Sequence, residues 1–288
     1  MGCNFNKTIE LTYSYGGHNP SLHEHVYYED VIQISRCCIL PAQWYIKTNE
    51  YLRINNIMDY LYKLPDKNSK TLYKNHPMCS GNACVLEPNK DIKDIIVGLS
   101  YACNLHCYHC WFDGLHKDTS LKKEVYFYTL YNIKNHNLNS ITLTNKGEPF
   151  FYLDETLEYL RSLTINDTKI ISTVTNGNCL TKKALDEINR IREETGINFV
   201  FLFSIDAITE ATYNNSRPGG NFKKVLNNLE LATKYFGKEN VTVSFTCKRT
   251  NYGEVNKAKK YYMDNFGLST NITFDYYEQD LSRYYIDL

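Results

Sequence analysis

Cys103-Asn104-Leu105-His106-Cys107-Tyr108-His109-Cys110 follows directly on the apolar run 95–99. Three thiols within eight residues can converge on one centre, and the run before them reads as a buried strand. The same pattern recurs from residue 93 onward. Short apolar runs at 95–100, 140–144, 169–175, 198–205, 241–246 and 271–274 alternate with amphipathic stretches near 122–135, 154–163, 181–195, 221–235 and 253–266. Short, β-branched, apolar strands are those of a sheet covered by helices. Connections of this length force parallel strands joined by right-handed crossovers. Six such units predict an α/β fold, a partial (βα)6 TIM-like barrel, in which ligands lie beyond the C-terminal strand ends. The cysteine loop falls at the first of those ends.

Composition limits what the thiols can be for. A chain of 288 residues, 43% apolar, is long enough for one large domain with a smaller appendage. With 32 basic and 32 acidic residues no global field draws it to nucleic acid or an anionic membrane, so neither partner is expected. The 25 tyrosines, lacking a basic patch, read as core and interface residues rather than a base-stacking surface. No stretch approaches the roughly 20 apolar residues of a spanning helix, and the N-terminus shows no apolar signal region. The expectation is a cytoplasmic protein. Met1-Gly2 lacks the usual hydroxyl residue of an acylation signal, since Asn6 stands at that place. Ten cysteines in a large chain with long periodic segments favour metal or redox use over a disulfide scaffold. The isolated Cys179 and Cys247 read as packing residues.

Residues 1–92 form an expected small accessory region of unknown role, 93–275 the barrel, and 276–288 a short tail. Thr8 to Tyr15 alternates like a strand, 26–39 has further strand character, and 54–64 carries Ile57, Met58, Leu61 and Leu64 at helical spacing. His18, His23 and His25 near a turn read as solvated groups, with metal binding as the weaker alternative. Cys79 and Cys84 are too few for a metal site by themselves, and part of a second cluster or a zinc site is their weaker reading.

The spacing Cys-x3-Cys-x2-Cys supplies three thiolates where a saturated tetrahedral site needs four ligands. It suits a 4Fe-4S cluster with one iron open to a small ligand. Zinc with His106 or His109 as fourth ligand is the alternative, though such close spacing strains a tetrahedral site.

The octapeptide after a first strand resembles the signature loop of the radical S-adenosylmethionine (radical SAM) superfamily, including the Asn-Leu pair after the first cysteine. The resemblance spans roughly residues 93–275. It implies that Cys103, Cys107 and Cys110 bind a 4Fe-4S cluster whose open iron is chelated by S-adenosyl-L-methionine. It implies an external one-electron reductant of flavodoxin or ferredoxin type, and reductive cleavage to a 5′-deoxyadenosyl radical that abstracts hydrogen from a substrate. Placement and exclusion of water are then the protein's part.

Further strand ends carry further parts of the resemblance. Asn145-Lys146-Gly147-Glu148-Pro149 is similar to the family's Gly-Gly-Glu-Pro, with Lys146 in place of the first glycine. A glycine permits close backbone approach, and Glu148 can accept from the methionine ammonium. Ser172-Thr173-Val174-Thr175-Asn176-Gly177 implies polar contacts from Thr175 and Asn176 beside the nucleoside. Phe203-Ser204-Ile205-Asp206-Ala207 resembles the Ser-x-Asp element; strand alternation would set Ser204 and Asp206 on one face, and a helix N-cap is the other reading of Asp206. Arg217 stands where the family often has an arginine for the cofactor carboxylate. His109 occupies the usual aromatic position against the adenine. Asn251 and Glu254, after the fifth strand, resemble the later pattern.

No residue is assigned to catalysis on the substrate. A non-catalytic zinc or iron-sulfur module and a small electron-transfer protein are the alternatives, and neither needs a nucleoside pocket. The short stretch after the sixth strand leads to the expectation of an open barrel mouth without auxiliary clusters, suited to a peptide or protein substrate.

Overall fold

A computed structural model describes residues 8–13, 31–35, 44–64, 92–110, 120–144, 147–275, 278 and 280–282. His18, His23, His25, Cys79, Cys84 and Lys146 lie outside the described residues. Two compact units are present, one of residues 1–99, 120–142 and 165–169, the other of 100–119, 143–164 and 170–288.

In the first unit the strands are β1 (Thr8–Tyr13), β2 (Val31–Ser35), β3 (Trp44–Lys47), β4 (Asp94–Gly98) and most of β5 (Leu138–Leu143). β1 pairs antiparallel with β2, β2 antiparallel with β3, and β1 parallel with β4, Ile9 opposite Ile95 and Leu11 opposite Val97. The segment before residue 93 therefore adds strands beside β4. Helices α1 (Thr48–Tyr51), α2 (Ile57–Tyr62) and α3 (Ser120–Asn132) belong here. The Asn56 side chain caps α2 by accepting from the Asp59 N–H at 3.0 Å, and Ile57, Met58 and Leu61 are buried on one face. The Tyr51 hydroxyl hydrogen-bonds Thr129 Oγ1 at 3.0 Å.

The second unit runs through α4 (Leu153–Arg161), β6 (Thr168–Thr175), α5 (Lys182–Thr195), β7 (Asn198–Ser204), α6 (Glu210–Ser216), α7 (Phe222–Phe236), β8 (Val241–Cys247), α8 (Tyr252–Phe266) and β9 (Thr270–Phe274). β6, β7, β8 and β9 pair in parallel in that order. Along β7 and β8 burial alternates, with Phe199, Phe201, Phe203, Val241, Val243 and Phe245 inward. Local chemistry starts and stops the helices. Thr181, Thr209 and Asn221 cap α5, α6 and α7 by accepting from N–H groups three residues on, and α5 ends at Gly196 in the left-handed region, φ 75°. α5 buries Ala184, Leu185, Ile188 and Ile191, the larger three contributing about 1.5–3 kcal/mol each.

The fold is α/β, with the six expected parallel strands β4 to β9 interspersed with helices. The six expected strands and five expected helices from residue 93 onward each hold to within about three residues. The short α6 is an addition, because seven residues give too few turns for a periodicity to be read.

Candidate cluster and cofactor site

All parts of the candidate site belong to the second unit. The cysteine loop is held by backbone bonds to the segment between α6 and α7. His106 N donates to Pro218 O at 3.0 Å and Tyr108 N to Ser216 O at 3.3 Å, while Cys110 N returns to Cys107 O at 2.9 Å. Leu105 is fully buried beneath the loop and Tyr108 is 73% exposed.

The Gly147-Glu148 turn packs on the same loop. Glu148 N donates to Ala102 O at 2.8 Å, and a side chain on Gly147 would collide with that carbonyl oxygen. Only glycine permits this approach. The Glu148 carboxylate is buried and accepts three bonds, from Thr175 Oγ1 at 2.7 Å, Asn176 N at 2.7 Å and Phe150 N at 3.1 Å. Burial pushes its pKa up to about 7, against the pull of those donors and, less strongly, of Arg217. Thr175 Oγ1 also accepts from Gly177 N at 3.0 Å, so Thr175 is engaged in holding this turn together.

A carboxyl raised in this way holds its proton more tightly in the folded protein than in the unfolded chain. The stability it contributes is complete below its ordinary value of 4.5 and is lost as pH rises through about 7. Denaturant unfolding of the metal-free protein is expected to show stability falling over that window by up to about 3 kcal/mol. Glu148→Gln should remove that slope; equal slopes in the two proteins would contradict the assignment.

Asn176 links this turn to the thiols. Its Nδ2 donates to Asn104 Oδ1 at 3.0 Å and reaches Cys103 Sγ at 3.7 Å, while Leu105 N lies 3.5 Å from the same sulfur. Cys179 is half-buried and donates to Asn104 Oδ1 at 3.1 Å. It is therefore beside the cysteine loop, whereas Cys247 is the buried packing residue expected of both, in a core with Phe245, Val255, Ala258 and Leu281. Burial pushes the Cys103 and Cys179 thiols up to about 12, so both are protonated in the metal-free protein.

The second half of the site is built on Asp206. β7 ends at Ser204 and Asp206 takes a left-handed backbone, φ 59°, so strand alternation does not extend to it. Nor does it cap a helix, since Thr209 caps α6. Asp206 is fully buried; its Oδ2 accepts from Arg217 Nε at 3.0 Å and Nη2 at 2.7 Å, and its Oδ1 from Thr246 N at 2.7 Å. Burial alone would raise its pKa, but Arg217, then His109 and the Thr246 N–H, outweigh it and hold the carboxyl below its ordinary value. For Arg217 burial opposes the charge, and Asp206 ahead of Cys107 more than compensates. The remaining Nη1 of Arg217 lies 3.7 Å from Cys107 Sγ.

His109 places Nε2 3.5 Å from Asp206 and Nδ1 against the buried Lys248 ammonium. Burial lowers its pKa to about 4 despite Asp206, so it is neutral near pH 7. With both ring nitrogens so engaged, His109 is a poor fourth ligand for zinc. Asn251 and Glu254 hold the surrounding loops, Asn251 Nδ2 on Asp206 O and Thr246 O at 2.9 Å each, Glu254 on Ile208 N and on Thr209 and Thr212.

The geometry thus joins Cys103 with Glu148, Thr175 and Asn176 on one side, and Cys107 with Arg217, Asp206 and His109 on the other. Ser204 joins neither group and is half-buried at the end of β7. Asn178 and Lys248 join the site without a motif of their own, whereas Asn104 belongs to the Asn-Leu pair of the cysteine loop. Asn178, whose Nδ2 donates to Tyr213 OH at 2.7 Å and whose Oδ1 accepts from Asn221 N at 2.8 Å, had no signal beyond following Asn-Gly. As they stand, no three His, Cys, Asp or Glu side chains among the described residues are gathered tightly enough to hold a metal ion. The thiols nonetheless act on one another electrostatically, Cys107 and Cys110 both raising the Cys103 pKa. Among the described residues no helix is long and apolar enough to cross a membrane.

Residues 97–261 match the family profile described as the radical SAM superfamily. A probable GTP 3′,8-cyclase of Methanococcus aeolicus is 25% identical over 205 residues, 69% of this chain and 65% of that protein. The chain thus spans less than two thirds of the length of that curated relative. A tagged anSMEcpe with bound AdoMet aligns with a TM-score of 0.46 at 20% identity, covering 64% of this chain and 49% of that one. A radical SAM methyltransferase from Sphaerobacter thermophilus aligns with a TM-score of 0.42 at 15% identity, covering 62% and 55%.

Proposed function

Because this chain belongs to the radical SAM superfamily, whose enzymes use a 4Fe-4S cluster and S-adenosylmethionine, we propose that it is an enzyme holding that cluster on Cys103, Cys107 and Cys110. The donor set fits the group. Three thiols share one loop, and N–H groups of Leu105, Asn176 and Arg217 are directed at two of the sulfurs, as suits thiolates bound to iron. Iron binding displaces the thiol protons, so uptake is favoured as pH rises. When bound and reduced by an external flavodoxin- or ferredoxin-type donor, the cluster supplies the electron that cleaves S-adenosylmethionine to methionine and a 5′-deoxyadenosyl radical competent to take hydrogen from a substrate.

The chain's own residues position and shield. Glu148 offers a buried carboxylate to the methionine ammonium, whose charge would bring its pKa back down. Asn176 orients the Cys103 side of the loop through Asn104. Gly147 lets the turn close on the carbonyl oxygen of Ala102, the residue before Cys103. Ser204 and His109 remain candidates for ribose and adenine contacts.

The observation that carries this reading is the continuous set of bonds from Ala102 through Glu148 and Asn176 to Cys103, which ties three strand-end loops together at the first thiol of the loop. A non-catalytic metal module or an electron carrier has no need of that arrangement. Protein reconstituted with iron and sulfide without oxygen, then given S-adenosylmethionine and dithionite, is expected to release 5′-deoxyadenosine. A fully iron-loaded protein that releases none would overturn the proposal.

A further inference from the structure

We propose that Arg217 sets the reduction potential of the cluster by donating a charged N–H to the Cys107 sulfur, an assignment that rests on the cluster reading above. The guanidinium carries five N–H groups in a rigid fork. Nε and Nη2 serve one oxygen of Asp206, at 3.0 and 2.7 Å, and Nη1 lies 3.7 Å from Cys107 Sγ. Asp206 thus holds the side-on pair of N–H groups, Nε and one on Nη2, and leaves Nη1 facing the sulfur. The resemblance implies a carboxylate role for this arginine; the geometry points to the sulfur contact in addition.

Three features fix the cation in place. Arg217 is 5% exposed, Asp206 0% and Cys107 9%, so water does not compete for these bonds. Asp206 is itself anchored by Thr246 N on its carboxylate and by Asn251 Nδ2 on its carbonyl oxygen, so the acceptor that aims the fork cannot turn. Arg217 N donates to Tyr213 O at 2.8 Å, and its neighbours Ser216 and Pro218 accept from Tyr108 and His106 of the cysteine loop. The arginine therefore moves with the loop whose sulfur it faces.

One-electron reduction adds a negative charge that the sulfur ligands share. A donor fixed at one of those sulfurs in a buried site stabilises the reduced form more than the oxidised one, which raises the potential. Asp206 offsets part of the cation's charge, so the directed hydrogen bond carries much of the effect. Asp206 acts through Arg217 and is a positioning residue.

The test uses reconstituted holoprotein without S-adenosylmethionine, titrated potentiometrically and followed by the paramagnetic resonance signal of the reduced cluster. An Asp206→Asn/Arg217→Gln double variant removes both charges of the buried pair, so neither is left unpaired and the fold is kept. Arg217→Lys keeps a charge but loses the fork. The expected result is a midpoint more negative than wild type in the double variant, with a smaller negative shift in Arg217→Lys, at equal iron and sulfide content. Unchanged or more positive midpoints would overturn the proposal. So would a folded double variant that takes up no cluster, since Arg217 would then serve assembly rather than potential. Wild-type protein that takes up no iron would instead remove the cluster reading beneath it.

Discussion

Cys107→Ala is expected to leave a folded protein that takes up no stable cluster and releases no 5′-deoxyadenosine. Cys107 is the middle thiol of the loop, 9% exposed, with Cys110 N bonded to its carbonyl oxygen and Arg217 Nη1 facing its sulfur. Losing that one sulfur leaves two thiols of the loop for a cluster that requires three protein ligands. The backbone bonds of the loop do not involve the sulfur, so the fold survives with a loss of about 1 kcal/mol from the deleted atom and the weakened arginine contact. Iron and sulfide analysis, the visible absorbance of the reconstituted protein and chromatographic detection of 5′-deoxyadenosine are the measurements. A brown, active Cys107→Ala protein would place the cluster elsewhere.

Asp206→Ala is expected to lower stability by about 3–5 kcal/mol, a large part of what a domain of this size has to lose. The substitution strands the Arg217 cation in a site that is 5% exposed and leaves Thr246 N without its acceptor. It also puts alanine at φ 59°, where asparagine and aspartate are tolerated better because their side chains bond locally. Asp206→Asn therefore should cost markedly less than Asp206→Ala, although it too loses the ion pair. Urea unfolding of the metal-free proteins separates the cases. Equal stability of Asp206→Ala and wild type would mean that the buried pair is not formed in solution.

Asp206 illustrates how far the sequence could be read. Ser-x-Asp at the end of an apolar run made it a candidate, but strand alternation supplied the wrong surroundings, because alternation holds only while the backbone stays extended. Glu148 shows the reverse. Gly-Glu-Pro after the second βα-unit strand pointed to a close backbone approach and a carboxylate acceptor, while the burial of that carboxylate under Thr175 and Asn176 and the approach to Ala102 came only with the structure. Cys179 gave no sign of its position, since an isolated cysteine looks the same in a core and beside the cysteine loop.

What the sequence determined by itself was local. Apolar runs with periods of 2 and 3.6 and three thiols within one loop are set by residues a few positions apart, and they were sufficient for the βα order and for naming Cys103, Cys107 and Cys110 as the candidate ligands of a cluster. What only the tertiary structure decided was pairing across long separations: β1 beside β4, Asn176 on Cys103 over 73 positions, Arg217 on Cys107 over 110 and Lys248 on His109 over 139. Burial makes those partners matter, because removing water turns each unpaired donor or charge into a large cost, and no periodicity in the chain records which partner meets it.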